Sequence, residues 1–223
     1  MNSYRNTATI VGVLFIIATL TPIMSVAFTG SIYEQDYLTA VSANENQILI
    51  GVLLLLIMTA AIVSIPIMMF PILKKQNESL ALGYVGARVF EGFFSIINVI
   101  SLLSLLSLSR EFVNAGAPVA SYFQTSGALI LAQFDWGSIL LDFPFAIGAL
   151  VLNYLLYRTK LIPRWLSGFG LIGGASWLAT VPFRMFGIFP TSLEIFAIII
   201  AVQEMVFAVW LIVKGFNSKV IAS

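Results

Sequence analysis

Six runs of twenty or more mostly apolar residues constrain this chain more than any other feature: 8–28, 47–73, 80–108, 127–157, 165–189 and 191–213. A helix rises about 1.5 Å per residue, so each run can cross a hydrocarbon layer about 30 Å thick. The connections left between them are short, and residues 1–223 read as a single six-helix transmembrane domain. The expected fold class is all-α, a polytopic transmembrane helix bundle in the cell membrane. Composition points the same way, with 60% apolar and 9% charged residues against about 25% charged in soluble domains. A soluble core of this size has no room for so much apolar surface. The first run exceeds the about 7–15 apolar residues of a signal peptide, and no small-x-small cleavage site follows it, so it is expected to be retained.

Basic residues orient the spans. Arg5, Lys74, Lys75, Arg158, Lys160, Arg164, Lys214 and Lys219 all fall on one side of the six-span layout, whereas Arg110 falls on the other. Lys and Arg accumulate on the cytoplasmic side, so both termini are expected there. The first outer loop carries Glu34, Asp36 and Glu45, and its segment 36–47 has a helical spacing of Leu38 and Val41. That spacing predicts a short helix lying in the membrane interface. The stretch 109–126, with Pro118, Tyr122 and Phe123, reads either as a cap on the outer face or as a plain connector. Trp136, Tyr157 and Trp165 fit interfacial anchors. The net charge of +1 argues against a nucleic-acid partner.

The spans are not uniformly apolar. Span three places Tyr84, Arg88, Glu91, Ser95 and Asn98 within an arc of about 80°, and span four places Asp135, Ser138, Asp142, Ala146, Ala149 and Asn153 within about 100°. Span six carries Glu204 beside the small residues Ala197, Ala201 and Ala208. Span five carries Gly170 and Gly174 on a face that continues to Trp177 and Arg184. Small residues admit a close helix neighbour. Axial counting from the basic ends puts Arg88 at about 15 Å, Glu91 at about 20 Å, Asp142 at about 24 Å and Glu204 at about 15 Å. These four form an expected inner layer, with Asp135, Arg184 and Glu194 in a second cluster nearer the outer boundary. Arg88 and Glu91, three residues apart, can neutralise each other. Asp142 and Glu204 are then expected to lack a basic partner in the spans and to need a proton, a cation or water. The inner four are the candidate site for a proton, small cation or small polar ligand. The alternative is a polar network that only fixes helix packing.

Enzyme chemistry finds little support. The chain has no Cys and no His, which removes thiolate and imidazole metal sites, haem ligation and histidine-based triads. All five lysines lie outside the spans, so none can attach retinal there. Asp135 and Asp142 stand about 10 Å apart in rise and cannot share a proton as a protease pair. No cofactor is expected, and a carboxylate-held divalent metal has no spacing motif behind it.

Three segments carry a family likeness: ANENQILIG (43–51), LALGYVGARVFE (80–91) and IPRWLSGFGLIGG (162–174). The chain resembles bacterial membrane proteins grouped as domain of unknown function 4386, over nearly its whole length. The resemblance implies a six-helix protein of the bacterial inner membrane and carries no catalytic or binding residue, although Arg88 and Glu91 stand inside the most specific segment.

Overall fold

The computed structural model describes residues 2–116, 121–188, 195–217 and 220. It contains seven α-helices among these residues: α1 (Asn2–Thr29), α2 (Tyr37–Ala43), α3 (Glu45–Leu73), α4 (Glu78–Asn114), α5 (Ser121–Thr159), α6 (Arg164–Met185) and α7 (Ile195–Val213). All except α2 are long and apolar enough to cross a membrane, as in a multi-pass membrane protein. Spans one to six therefore correspond to α1, α3, α4, α5, α6 and α7.

The two longest helices extend well beyond the apolar runs that predict them. α4 has 37 residues and α5 has 39, or about 56 Å and 58 Å of rise, so both overreach a hydrocarbon layer. Much of the expected 109–126 connection is accordingly helix, and Phe112 of α4 meets Phe123 of α5 edge-on with ring centroids 5.5 Å apart. Pro118 lies outside the described residues, as do the expected end of span five at 189 and the expected start of span six at 191. α4 starts sharply because the Asn77 side chain accepts the Leu80 backbone N–H at 2.9 Å, satisfying one of the orphan donors of its first turn.

The six long helices close a ring. Each packs on its neighbour in the chain order α1, α3, α4, α5, α6, α7, and α7 returns to α1. At one end the ring is tied by polar contacts between elements far apart in sequence. Lys75 donates to the Tyr4 hydroxyl at 2.9 Å, and Arg5 donates to the carbonyls of Ile212 at 2.6 Å and Val213 at 3.1 Å. A guanidinium on the last carbonyls of α7 also complements that helix's dipole. The Asn217 backbone N–H donates to the Leu161 carbonyl at 2.8 Å, joining the segment after α7 to the α5–α6 turn.

The apolar interior has two parts. One, near the tied end, draws on all six long helices and includes Phe15, Met69, Tyr84, Leu156, Leu166 and Phe207. The other, near the opposite end, includes Ile32, Leu38, Val41, Ile48, Leu102 and Phe112. Leu38 and Val41 of α2 are fully buried there, and α2 packs against α4. The expected short helix exists, and its apolar side faces the bundle, because α4 is long enough to offer it a surface.

Candidate functional site

Between the two apolar clusters α4 presents its polar stripe. Tyr84, Arg88, Glu91, Ser95 and Asn98 are all buried, none more than 7% exposed. Polar groups taken from water need partners, and α4 itself supplies two of them while α3 and α5 supply two more. The Arg88 guanidinium donates to the Glu91 carboxylate at 2.8 Å and lies between the rings of Phe15, at 6.0 Å, and Phe145, at 5.7 Å. A buried cation beside two aromatic faces gains from both quadrupoles. Ser95 and Thr59 of α3 share a hydrogen bond of 2.6 Å, and Asn98 donates to Ser138 of α5 at 3.0 Å.

Asp142 does not lack a basic partner, as its sequence position suggests. Arg184 of α6 donates to its carboxylate, and the guanidinium also lies over the Trp177 ring at 5.6 Å. Counted from the tied end, Asp142 stands 17 residues before the end of α5 and Arg184 20 residues after the start of α6. These are levels of about 26 Å and 30 Å, a gap that an extended arginine side chain bridges. Of the expected outer cluster, Arg184 pairs with Asp142, Asp135 is exposed and stands beside Tyr33, and Glu194 lies outside the described residues.

Glu204 of α7 is half-buried and accepts a hydrogen bond of 3.3 Å from Thr19 of α1. Among the described residues no Lys or Arg comes within 4.0 Å of its carboxylate. It borders a small cavity between α1, α4, α5 and α7, together with Phe15, Tyr84, Arg88, Asn153 and Gln203. The cavity has about 10 Å³ for a solvent centre, close to what one water requires. Two buried donors at this cavity, the Arg88 Nε–H and the Tyr84 hydroxyl, have no partner among the described residues. Gln203 donates to Asn153 at 3.3 Å. The arrangement can hold a water between an arginine, a tyrosine and a carboxylate. Among the described residues no group of three acidic side chains is placed to hold a metal ion.

Small residues set how closely the helices approach. A Cβ on Gly12 of α1 would stand 2.6 Å from the Ala208 carbonyl oxygen of α7. Gly170 lies against the Asn153 side chain and Gly174 against Ala149 and Leu150 of α5, whereas Gly173 faces Ile200 of α7. Ala197 and Ala201 of α7 are half-buried. Sequence reasoning did not find Thr19, Thr59, Phe15 or Phe145. The two threonines are isolated polar residues in apolar runs, which is the only signal they give, and the two rings are indistinguishable from lipid-facing phenylalanines until the helices are assembled.

No curated protein and no solved structure matches this chain. A family model does, across residues 10–215, nearly the whole ring just described, and the chain therefore belongs to the family described as domain of unknown function DUF4386.

Proposed function

We propose that this chain is a single six-span domain of the bacterial inner membrane, with both termini cytoplasmic, whose interior site binds or passes a proton at Glu204. Charge balance is the observation that carries the reading. Among the described residues the interior holds two arginines and three carboxylates, and ion pairs join Arg88 to Glu91 and Arg184 to Asp142. Glu204 is the carboxylate left over, and a layer of net charge −1 inside a membrane calls for one compensating positive charge. A proton fits better than a metal cation, since the adjoining cavity has room for about one water and is shared with the Arg88 guanidinium. Water held between Tyr84, Arg88 and Glu204 would give the proton its path on or off the carboxylate. The basic residues gathered at the tied end support the proposed orientation.

Infrared difference spectroscopy of the protein in lipid, between acid and alkaline buffer, tests this. The expected result is a carboxylic-acid band that titrates and disappears in Glu204→Gln. Proteoliposomes with an internal pH dye should then show proton entry driven by a potassium diffusion potential, lost in the same variant. A titrating band that survives Glu204→Gln overturns the assignment.

The second reading, a network that only fixes packing, draws on the cross-helix bonds Thr59–Ser95, Asn98–Ser138 and Asn153–Gln203. Under it Glu204→Gln alters unfolding alone and no proton signal depends on it.

A further inference from the structure

Remote from the intramembrane charges, at the tied end of the ring, the α5–α6 turn and the chain leaving α7 enclose an open groove of about 490 Å³. Its lining has two characters. Ile162, Trp210 and Phe216 give it apolar walls, and Lys160, Arg164 and Lys214 bring three positive charges, with no acidic residue among the lining. All three basic side chains are exposed. Among the described residues none has a carboxylate within 4.0 Å, because the ion pairs there are Arg88–Glu91, Arg110–Glu45 and Arg184–Asp142.

The groove is held in shape by specific bonds. The Asn217 backbone N–H donates to the Leu161 carbonyl at 2.8 Å, and its side-chain amide donates to the Lys160 carbonyl at 3.4 Å. Lys160 itself adopts φ +59°, a left-handed conformation uncommon for a residue with a Cβ. Arg164 donates through Nε to the Tyr157 carbonyl at 3.3 Å and lies over the Tyr157 ring at 5.1 Å. That anchoring fixes its guanidinium at the rim.

We propose that this groove binds the phosphate headgroup of an anionic phospholipid, with Lys160, Arg164 and Lys214 around the phosphate and an acyl chain along Trp210. Charge complementarity selects the headgroup, since three cations uncompensated by a carboxylate favour an anion, and guanidinium with ammonium is a phosphate-binding combination. The apolar walls select a lipid over a free ion. A dissolved phosphate would leave the half-buried Trp210 uncovered, whereas a lipid whose tail enters the bilayer beside α7 covers it. The level is suitable too, because Trp210 stands in the last turn of α7, where tryptophan meets the headgroup region.

Native mass spectrometry of the full chain tests the proposal, with phosphatidylglycerol and phosphatidylcholine titrated separately. The wild type should bind phosphatidylglycerol in preference to phosphatidylcholine. The affinity should fall about fivefold for each of Lys160→Gln, Arg164→Gln and Lys214→Gln. The pair Lys74→Gln and Lys75→Gln, basic residues outside the groove lining, serves as the control and should leave the affinity unchanged. An equal loss in the control pair would mean diffuse surface attraction and overturn the site. Displacement of the lipid by millimolar inorganic phosphate would assign the groove to a dissolved anion and overturn the choice of lipid. Unchanged binding in all three groove variants, each checked for folding by circular dichroism, would also overturn it. Glu204→Gln should not affect binding, so this result stands or falls separately from the proton site.

Discussion

Arg184 on α6 is the cation for Asp142 on α5, across 42 residues of sequence. Their side chains are 24% and 15% exposed, so both charges are largely withdrawn from the bundle surface. The pair pins the last turn of α6 to the middle of α5, and the Trp177 ring beneath the guanidinium extends the contact along α6. Its presence also narrows the candidate site, because among the described residues one interior carboxylate, Glu204, then lacks an arginine.

Removing one member of that pair should be worse than removing both. Arg184→Gln strands the Asp142 carboxylate and is expected to destabilise the bundle by about 3–5 kcal/mol, and Asp142→Asn, which takes the acceptor from the Arg184 guanidinium, is expected to destabilise it as well. The double variant should recover most of the loss. Reversible unfolding in mixed detergent micelles measures all three, and additive losses would show that the pair is not coupled.

Arg88 should obey the same rule with one addition. Arg88→Gln strands the buried Glu91 and is expected to lower stability by about 3–5 kcal/mol, with recovery in Arg88→Gln/Glu91→Gln. Arg88→Lys keeps the charge but loses the planar face held between Phe15 and Phe145. Its loss should be smaller, on the order of 1–2 kcal/mol, in the same unfolding assay.

Two glycines should respond in opposite directions to the same change. Gly12→Ala drives a Cβ to 2.6 Å from a backbone oxygen of α7, which no rotamer change relieves. A loss of about 1–3 kcal/mol follows. Gly83 of α4 has nothing within 4 Å of an added Cβ, so Gly83→Ala should gain about 0.5–1 kcal/mol from the stiffer helix. Thermal melts followed by circular dichroism separate the two.

Orientation can be read without background, because the chain has no cysteine. Lys74→Cys should react with a membrane-impermeant maleimide only after cells are permeabilised, and Glu34→Cys should react in intact cells. The reverse pattern would invert the proposed topology.

The helices and the inward stripe of α4 were legible in the sequence because both are local properties. An apolar run fixes a span, and a spacing of three and four residues fixes a face, so Tyr84, Arg88, Glu91, Ser95 and Asn98 could be placed together before any packing was known. The Arg184–Asp142 pair was not legible, since it depends on the axial offset between two helices and on side-chain reach. Leu38 and Val41 show a third situation. Their spacing marks an amphipathic helix equally well on lipid or on protein, and only the projecting end of α4 decides between them.

Closure of the ring between α1 and α7 bears on how the molecule is made. α1 leaves the ribosome first, yet the carbonyls that receive Arg5 and the surface that receives Gly12 belong to α7. During synthesis that side of α1 therefore stays uncovered until α7 is made, and the seam that joins Thr19 to Glu204 is the last part of the ring to close.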